Sequence, residues 1–191
     1  MTGTASSNVH LPKGNIVRVR PARASDAPGL RALFFRLSDG TRYRFFGVGM
    51  PALPHFADRV VSLGLPHDPH AYALVAEVTG TPIGIARFDQ RTGGCEAEIG
   101  LLIEDAWQHQ GIGTRLLMRL AAEASLRAIT HFTAHVIGEN QRAVWFVKNV
   151  FPEAQVQWAA GVFDLSMCLS TNVEHLALKK NNVSVSLPVI T

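Results

Sequence analysis

A glycine-containing segment near the middle of the chain has the residue types and spacing of an anion-binding loop. It reads Gln108-His109-Gln110-Gly111-Ile112-Gly113-Thr114. Gly111 and Gly113 allow the main chain to approach an anion closely, and a helix beginning near Ile112 would direct its free N–H groups and its positive dipole end at that anion. The segment therefore predicts a diphosphate cradle built from the N–H groups of residues 110–114, to which the Thr114 hydroxyl adds a further donor.

Two carboxylates precede this loop on one predicted strand, residues 95–103. Side chains alternate along a strand, so Glu96 and Glu98 share a face with Gly100 and Leu102. A carboxylate that is partly desolvated on such a face can accept a proton from an ammonium group, and a second one can attract a cationic substrate. The alternative is that both acids belong to a solvated strand edge.

The surrounding elements must hold the loop and the acids together. Alternating apolar residues predict strands at 16–20, 72–78, 83–89, 95–103, 131–137, 155–158 and 162–169. Helical spacing predicts helices after an N-cap at Ser25, from about Thr41, over 56–63, over 112–127 and over 141–149. This order predicts a single domain of the α/β class, of mixed α+β type. Helices would pack on one mixed sheet.

Length and composition predict one folded domain with a short segment on each side. With 191 residues, 47% hydrophobic and 17% charged, the chain is sized for one folded domain. We assign residues 1–14 to a flexible N-terminal segment, 15–170 to the domain and 171–191 to a C-terminal tail. The tail could alternatively add an edge strand or reach a partner, because Val183, Val185 and Leu187 alternate with serines.

Charge and hydropathy exclude several classes of function. The net charge of +3 is spread along the chain without a basic cluster, so no nucleic-acid partner is expected. No apolar stretch is long enough to span a bilayer and the N-terminus does not resemble a secretory signal, so we expect no membrane association and a cytoplasmic location.

The histidines and cysteines do not show the spacing of metal ligands. Cys95 and Cys168 lack metal-ligand spacing and lie in apolar runs, which predicts buried free thiols. The pair His67 and His70 lacks a third ligand nearby, so no metal is expected. His135 is interpreted as a structural strand residue, since a lone histidine is more often structural than catalytic.

Taken together, these residues resemble the GNAT superfamily of acyl-CoA-dependent N-acyltransferases. The cofactor motif of that superfamily, Gln/Arg-x-x-Gly-x-Gly/Ala between a strand and a helix, is matched by Gln108, Gly111 and Gly113. The resemblance covers about residues 16–169. Within the superfamily the sequence is most similar to bacterial Pat-type protein-lysine acetyltransferases. That likeness is carried by Ala97-Glu98-Ile99 and by Leu37-Ser38-Asp39-Gly40-Thr41-Arg42-Tyr43-Arg44-Phe45-Phe46.

The resemblance implies acetyl-CoA as a substrate and a mostly antiparallel sheet that splays at the cofactor site, with helices on both faces. Main-chain groups after the acids would bind the pantetheine arm and polarise the thioester oxygen. Asn140 would contact the same arm, unless it serves only as a turn or helix cap. The implied cofactor-binding set is Leu101, Leu102, Ile103, Gln108, His109, Gln110, Gly111, Ile112, Gly113, Thr114 and Asn140.

The resemblance also selects between the two acids. Glu98 matches the catalytic glutamate of Pat-type enzymes by its spacing from the loop, and Glu96 remains its rival. The implied reaction is direct acetyl transfer to a primary amine. A protein lysine is favoured as acceptor, and a small amine or an amino acid is the alternative. The oligomeric state is left open.

Two departures from the family pattern matter. Gln110 stands where many relatives carry Arg or Lys, and Arg115 could replace that charge. The last helix contains no tyrosine to act as general acid, because Tyr43 and Tyr72 are the only tyrosines in the chain. These departures support a second hypothesis, a catalytically weak CoA-binding regulatory module.

Overall fold

One sheet of eight strands organises the part of the chain that the computed structural model describes, residues 7–11, 14–66 and 68–169. The strands are β1 (Ser7–His10), β2 (Ile16–Pro21), β3 (Ala71–Val78), β4 (Thr81–Gln90), β5 (Glu96–Ile103), β6 (His131–Ile137), β7 (Gln155–Ala159) and β8 (Val162–Cys168). The helices are α1 (Ala27–Arg36), α2 (Asp39–Phe46), α3 (Pro54–Gly64), α4 (Ile112–Ser125) and α5 (Gln141–Val150).

The strand order is β1-β2-β3-β4-β5-β6-β8-β7, and every neighbouring pair is antiparallel except β5 and β6. The parallel pair arises because α4 crosses over the sheet between the two strands. This is the mixed, mostly antiparallel sheet that the sequence predicts.

Helices cover both faces of the sheet. The apolar stripe of α4 and Val147 of α5 pack with Phe88 and Phe132 in one core. On the other face, α1 and α3 enclose a second core that includes Ile85 and Leu102. Alternate residues of β4 and β5 therefore contribute to different cores, as a strand buried on both faces requires.

The sheet opens between β5 and β6. The two strands pair only from Glu96 with His131 to Glu98 with Thr133. Beyond this point β5 continues to Ile103 and pairs with β4 alone, while β6 continues to Ile137 and pairs with β8 alone. The expected splay is therefore present, and it begins at Glu98.

Two elements near the N-terminus differ from the sequence interpretation. Strand β1 lies in the segment interpreted as flexible and pairs with β2; a four-residue strand beginning Ser-Asn carries little strand propensity. Ser25 is not the cap of α1. It lies inside a 3-10 turn, Ala24–Asp26, where the Asp26 carboxylate accepts a hydrogen bond from the Arg23 N–H at 2.8 Å.

The prediction of buried thiols is also wrong for Cys95, which is exposed, whereas Cys168 is half-buried. Cys95 immediately precedes β5 rather than lying within the strand. Within the described ranges, no helix is long and apolar enough to cross a bilayer. The tail 171–191 and His67 lie outside the described residues.

Candidate active site

The loop between β5 and α4 presents unpaired main-chain donors. Its N–H groups at His109, Gln110 and Gly111 make no hydrogen bond to any described residue. His109 and Gly111 have left-handed conformations, with φ of 60° and 78°. The first N–H groups of α4 follow directly and lack intrahelical acceptors. Free N–H groups at a helix N-terminus are able to bind an anion, which is what the predicted cradle requires.

The two glycines of the loop have different roles. A side chain at Gly111 would point into open space, so this glycine serves the positive φ of the loop. A Cβ at Gly113 would lie 3.2 Å from Cδ1 of Ile103 and 3.3 Å from Cζ of Phe146. Gly113 therefore allows α4 to pack closely on β5 and α5. The prediction gave both glycines the same role, and the structure separates them.

Side chains of the loop brace it from within. Gln108 donates through Nε2 to the carbonyl of Ile103 at 2.9 Å, and Gln110 donates through Nε2 to the carbonyl of Ala106 at 3.0 Å. Both amides are therefore occupied in holding the loop. Thr114 is half-buried, whereas Arg115 in the first turn of α4 is exposed. Arg115 is thus the first basic residue of α4 after the loop, and its side chain is exposed.

The loop is also tied to α2. Asp105 accepts hydrogen bonds from the N–H of Ser38 at 2.8 Å, the hydroxyl of Ser38 at 2.6 Å and the hydroxyl of Thr41 at 2.7 Å. Partial burial raises the pKa of Asp105, but these donors outweigh it and the pKa is lowered. Asp105 is absent from the predicted site, although Ser38 and Thr41 lie in the segment that carries the Pat-type likeness.

Helix α2 crosses the opening of the sheet on the face opposite α4. A Cβ at Gly100 of β5 would lie 3.7 Å from Cζ of Phe45. At the end of α2, a Cβ at Gly47 would lie 3.6 Å from Cγ2 of Ile137 in β6. The helix thus contacts both splayed strands and forms one wall above the cleft.

Glu98 stands at the mouth of this cleft. Its register partners are Asp89 on β4 and Thr133 on β6. The Glu98 side chain is exposed and has no hydrogen bond or ion pair to a described residue. The prediction of a partly desolvated carboxylate is therefore wrong, since this part of β5 has no helix above it. The free carboxylate can instead meet an incoming cation.

The other acids near Glu98 already have partners. Asp89 accepts a hydrogen bond from Arg87, two residues earlier on the same face of β4. An oxygen of Glu96 lies 3.9 Å from Nη1 of Arg91. Of these three carboxylates, Glu98 is the one without a cationic partner among the described residues, which distinguishes it from its rival Glu96.

The remaining predicted cofactor residues line β5 and the start of α5. Leu102 is buried with α1 and α3, whereas Leu101 and Ile103 pack toward α4. Beyond Glu98, the main chain of this segment has no strand partner on the β6 side. Asn140 caps α5, accepting a hydrogen bond from the N–H of Ala143 at 3.3 Å. The helix-cap interpretation is confirmed, and the contact of Asn140 with the cofactor stays a prediction.

A second polar group lies on the same sheet face. Nδ1 of His135 on β6 is 2.6 Å from Oδ1 of Asp164 on β8, and both residues line a cavity of about 170 Å³ together with Thr133 and Ser166. The interpretation of His135 as an isolated strand residue missed Asp164, because the pairing of β6 with β8 is a long-range contact. Among the described residues, no three or more His, Cys, Asp or Glu side chains form a group that could hold a metal ion.

Comparisons with known proteins agree with this geometry. The chain matches the Acetyltransferase (GNAT) family over residues 38–150, more than half of its length. The GNAT domain of PAT from S. lividans is similar in structure, with a TM-score of 0.76 and 26% identity over 85% of this chain and 96% of that chain.

Two further solved structures share the fold at lower identity. A spermidine N-acetyltransferase from Vibrio cholerae in complex with CoA and spermine has a TM-score of 0.61 and 16% identity, over 82% of this chain and 98% of that one. A cAMP-binding acyltransferase from Mycobacterium smegmatis has a TM-score of 0.57 and 18% identity over 86% of this chain. The chain spans 47% of the length of that acyltransferase.

Proposed function

The chain belongs to the acetyltransferase (GNAT) family of acyl-CoA-dependent N-acetyltransferases. We propose that it transfers the acetyl group of acetyl-CoA to a protein lysine, and that Glu98 is the base. The observation that carries this proposal is the position of Glu98. Its unpaired carboxylate stands where β5 and β6 separate, at one end of the strand edge that leads to the anion-binding loop.

The cofactor would bind along this edge and loop. The N–H groups of residues 109–114 would receive the diphosphate at the N-terminus of α4. The pantetheine arm would pair with the free main chain of β5 beyond Glu98, as an added strand pairs with a sheet edge. In this arrangement the main chains of Leu101, Leu102 and Ile103 would lie beside the arm, and the side-chain amide of Asn140 would lie near it.

Direct transfer needs only a base and an oxyanion donor in this arrangement. Glu98 takes a proton from the lysine ammonium, and the neutral amine attacks the thioester carbonyl, forming the C–N bond. A main-chain N–H of the free β5 edge stabilises the oxyanion. The tetrahedral intermediate then breaks its C–S bond and releases the CoA thiolate, and the nitrogen loses its second proton to solvent or to another base. Because a thiolate is a tolerable leaving group, the missing tyrosine does not prevent the reaction.

A protein lysine is favoured over a small amine by two observations. The similar structure at 26% identity is the GNAT domain of a PAT protein. In addition, Glu98 is exposed on an open part of the sheet, where a lysine at the end of a flexible side chain can reach it. The spermidine N-acetyltransferase shares the fold. Polyamines are therefore the second class of acceptor to be tested.

An acceptor panel tests the proposal. CoA release and acetylated product are measured with lysine-containing peptides, a folded lysine-rich protein, spermidine and free amino acids at equal amine concentration. Lysine peptides or protein should give the highest kcat/KM. Higher kcat/KM for spermidine would assign a small-amine function, and CoA binding without turnover on any acceptor would support the regulatory-module hypothesis.

A further inference from the structure

His135 and Asp164 form a side-chain pair that the mechanism above does not use. Nδ1 of His135 lies 2.6 Å from Oδ1 of Asp164, and about half of each side chain is exposed. A carboxylate on Nδ1 fixes the orientation of the imidazole and leaves Nε2 available for another partner. The pair lines a cavity of about 170 Å³ that is large enough to admit part of a substrate.

The strand register places this pair beside Glu98. Thr133 is the β6 partner of Glu98, and His135 follows two residues later on the same face. In two strands that stay paired, such residues have Cα atoms about 8 Å apart. Because β5 and β6 diverge beyond the pair Glu98 and Thr133, the separation of Glu98 and His135 is larger and leaves a gap that an amine can enter.

The face carrying these residues is open at this point. Helices α4 and α5 pack on the opposite face, and α1 and α3 lie over earlier strands of the sheet. Helix α2 lies near Gly100 and Ile137, each two residues further along its strand than Glu98 and His135.

The charged groups that line the cavity with His135 are Asp164 on β8 and Arg91, and Glu98 stands on the same sheet face as the partner of Thr133. Both Glu98 and His135 are exposed on this face, so an acceptor at Glu98 has the His135 side chain on its β6 side.

The proton balance of acetyl transfer gives a base at this position a role. An ammonium nitrogen loses two protons as it becomes an amide, one before it attacks and one after the C–N bond has formed. Once Glu98 has taken the first proton, its carboxyl group is neutral and cannot take the second without first releasing a proton to water.

We propose that His135, oriented by Asp164, is a second catalytic base that takes the second proton at Nε2. The C–N bond has then formed, the C–S bond breaks with its electron pair leaving on sulfur, and one proton each resides on Glu98 and His135. The thiolate is protonated by the His135 imidazolium or by solvent, and Glu98 releases its proton to water. This inference rests on the proposed function.

Chemical rescue tests the proposal. His135→Ala should lower kcat by about 10²-fold, within the range of general-base contributions, with the Kd for CoA unchanged. Added imidazole should restore a large part of the rate, because it supplies the missing base in the cavity. His131→Ala is the matched control. It removes a histidine from the same face of the same strand, at the level of Glu96, and should keep the wild-type rate.

Asp164→Asn provides the second measurement for a positioning residue. It should lower kcat by less than His135→Ala, with the KM for the acceptor and the Kd for CoA unchanged. In the His135→Ala background it should have no further effect on kcat, because Asp164 acts through His135. A residue with a purely structural role would lower the rate in both backgrounds.

The outcomes separate this inference from the proposed function. Absence of turnover by the wild-type chain with every acceptor would refute the proposed function and this inference with it. Wild-type turnover with full activity of His135→Ala would refute the inference alone. A folded His135→Ala variant of low activity that imidazole does not rescue would also overturn it.

Discussion

Ser38 donates two hydrogen bonds to the carboxylate of Asp105, one from its N–H at 2.8 Å and one from its hydroxyl at 2.6 Å. Ser38 is the N-cap of α2, the helix that crosses the opening of the sheet, and Asp105 begins the turn that leads into the anion-binding loop. Helix α2, on the proposed acceptor side of the cleft, and the loop, on the proposed cofactor side, are therefore joined through a single carboxylate.

Substitution of this carboxylate should affect both substrates. Asp105→Ala removes three accepted hydrogen bonds, and we expect KM for acetyl-CoA and for the acceptor to rise together by about fivefold, which corresponds to about 1 kcal/mol. Steady-state kinetics with each substrate varied in turn measures the effect. Asp58→Ala, which breaks an exposed pair with Arg31, is the control. A change in only one KM would contradict the coupling of α2 to the loop.

The loop itself could be predicted from the sequence because its determinants are local. Glycine spacing and the apolar stripe of α4 are set by neighbouring residues. The link between Ser38 and Asp105 joins residues 67 positions apart, and only the folded sheet brings them together. The pairing of His135 with Asp164 depends in the same way on the register of β6 and β8.

The exposure of Glu98 could not be predicted for a related reason. Alternation along β5 places Glu98 on the face of Leu102, and Leu102 is buried. The sequence does not show where the helices above that face end. They cover Leu102 and leave Glu98 open, so two residues of one strand face have different surroundings.

The separate roles of the two loop glycines lead to a second prediction. Gly111→Ala forces a Cβ into a left-handed conformation at a cost of about 1 kcal/mol, and we expect weaker CoA binding with the fold intact. Gly80→Ala is the matched control, because Gly80 has a φ of 82° and the same open surroundings in the turn between β3 and β4.

Calorimetric titration of CoA and urea unfolding distinguish the two variants. Both should lose similar stability, and only Gly111→Ala should lose CoA affinity. Gly113→Val should behave differently again, lowering the free energy of unfolding by about 1–3 kcal/mol through overpacking against Ile103 and Phe146. Equal CoA affinity in Gly111→Ala and Gly80→Ala would remove the cradle assignment.

A buried ion cluster under the N-terminal part of the sheet predicts the acid sensitivity of the fold. The guanidinium of Arg20 binds Asp26 at 2.7 Å and Glu77 at 2.5 Å, and all three side chains are buried. Burial raises the pKa of Asp26, but hydrogen bonds from Arg20 and from the N–H of Arg23 outweigh burial and lower it.

The sign of the pH dependence follows from this lowered pKa. The stabilisation is complete above the unfolded-state pKa, about 3.8, and is lost as pH falls through the lower pKa of the folded state. Asp26→Asn should destabilise the domain by about 3–5 kcal/mol at neutral pH, because it leaves Arg20 poorly compensated. Urea unfolding between pH 7 and about pH 3 should show a smaller acid-induced loss in this variant than in the wild-type chain. Equal acid-induced losses would contradict the assignment.

The rate of acetyl transfer by Glu98→Gln tests the central claim most directly. The amide keeps the size of the side chain and cannot accept the ammonium proton. With the best acceptor of the panel, kcat should fall by about 10²–10⁴-fold while the Kd for CoA stays unchanged. Glu96→Gln, two residues earlier on the same face, should retain most of the rate. Full activity of Glu98→Gln together with loss of activity in Glu96→Gln would contradict the account and move the base to Glu96.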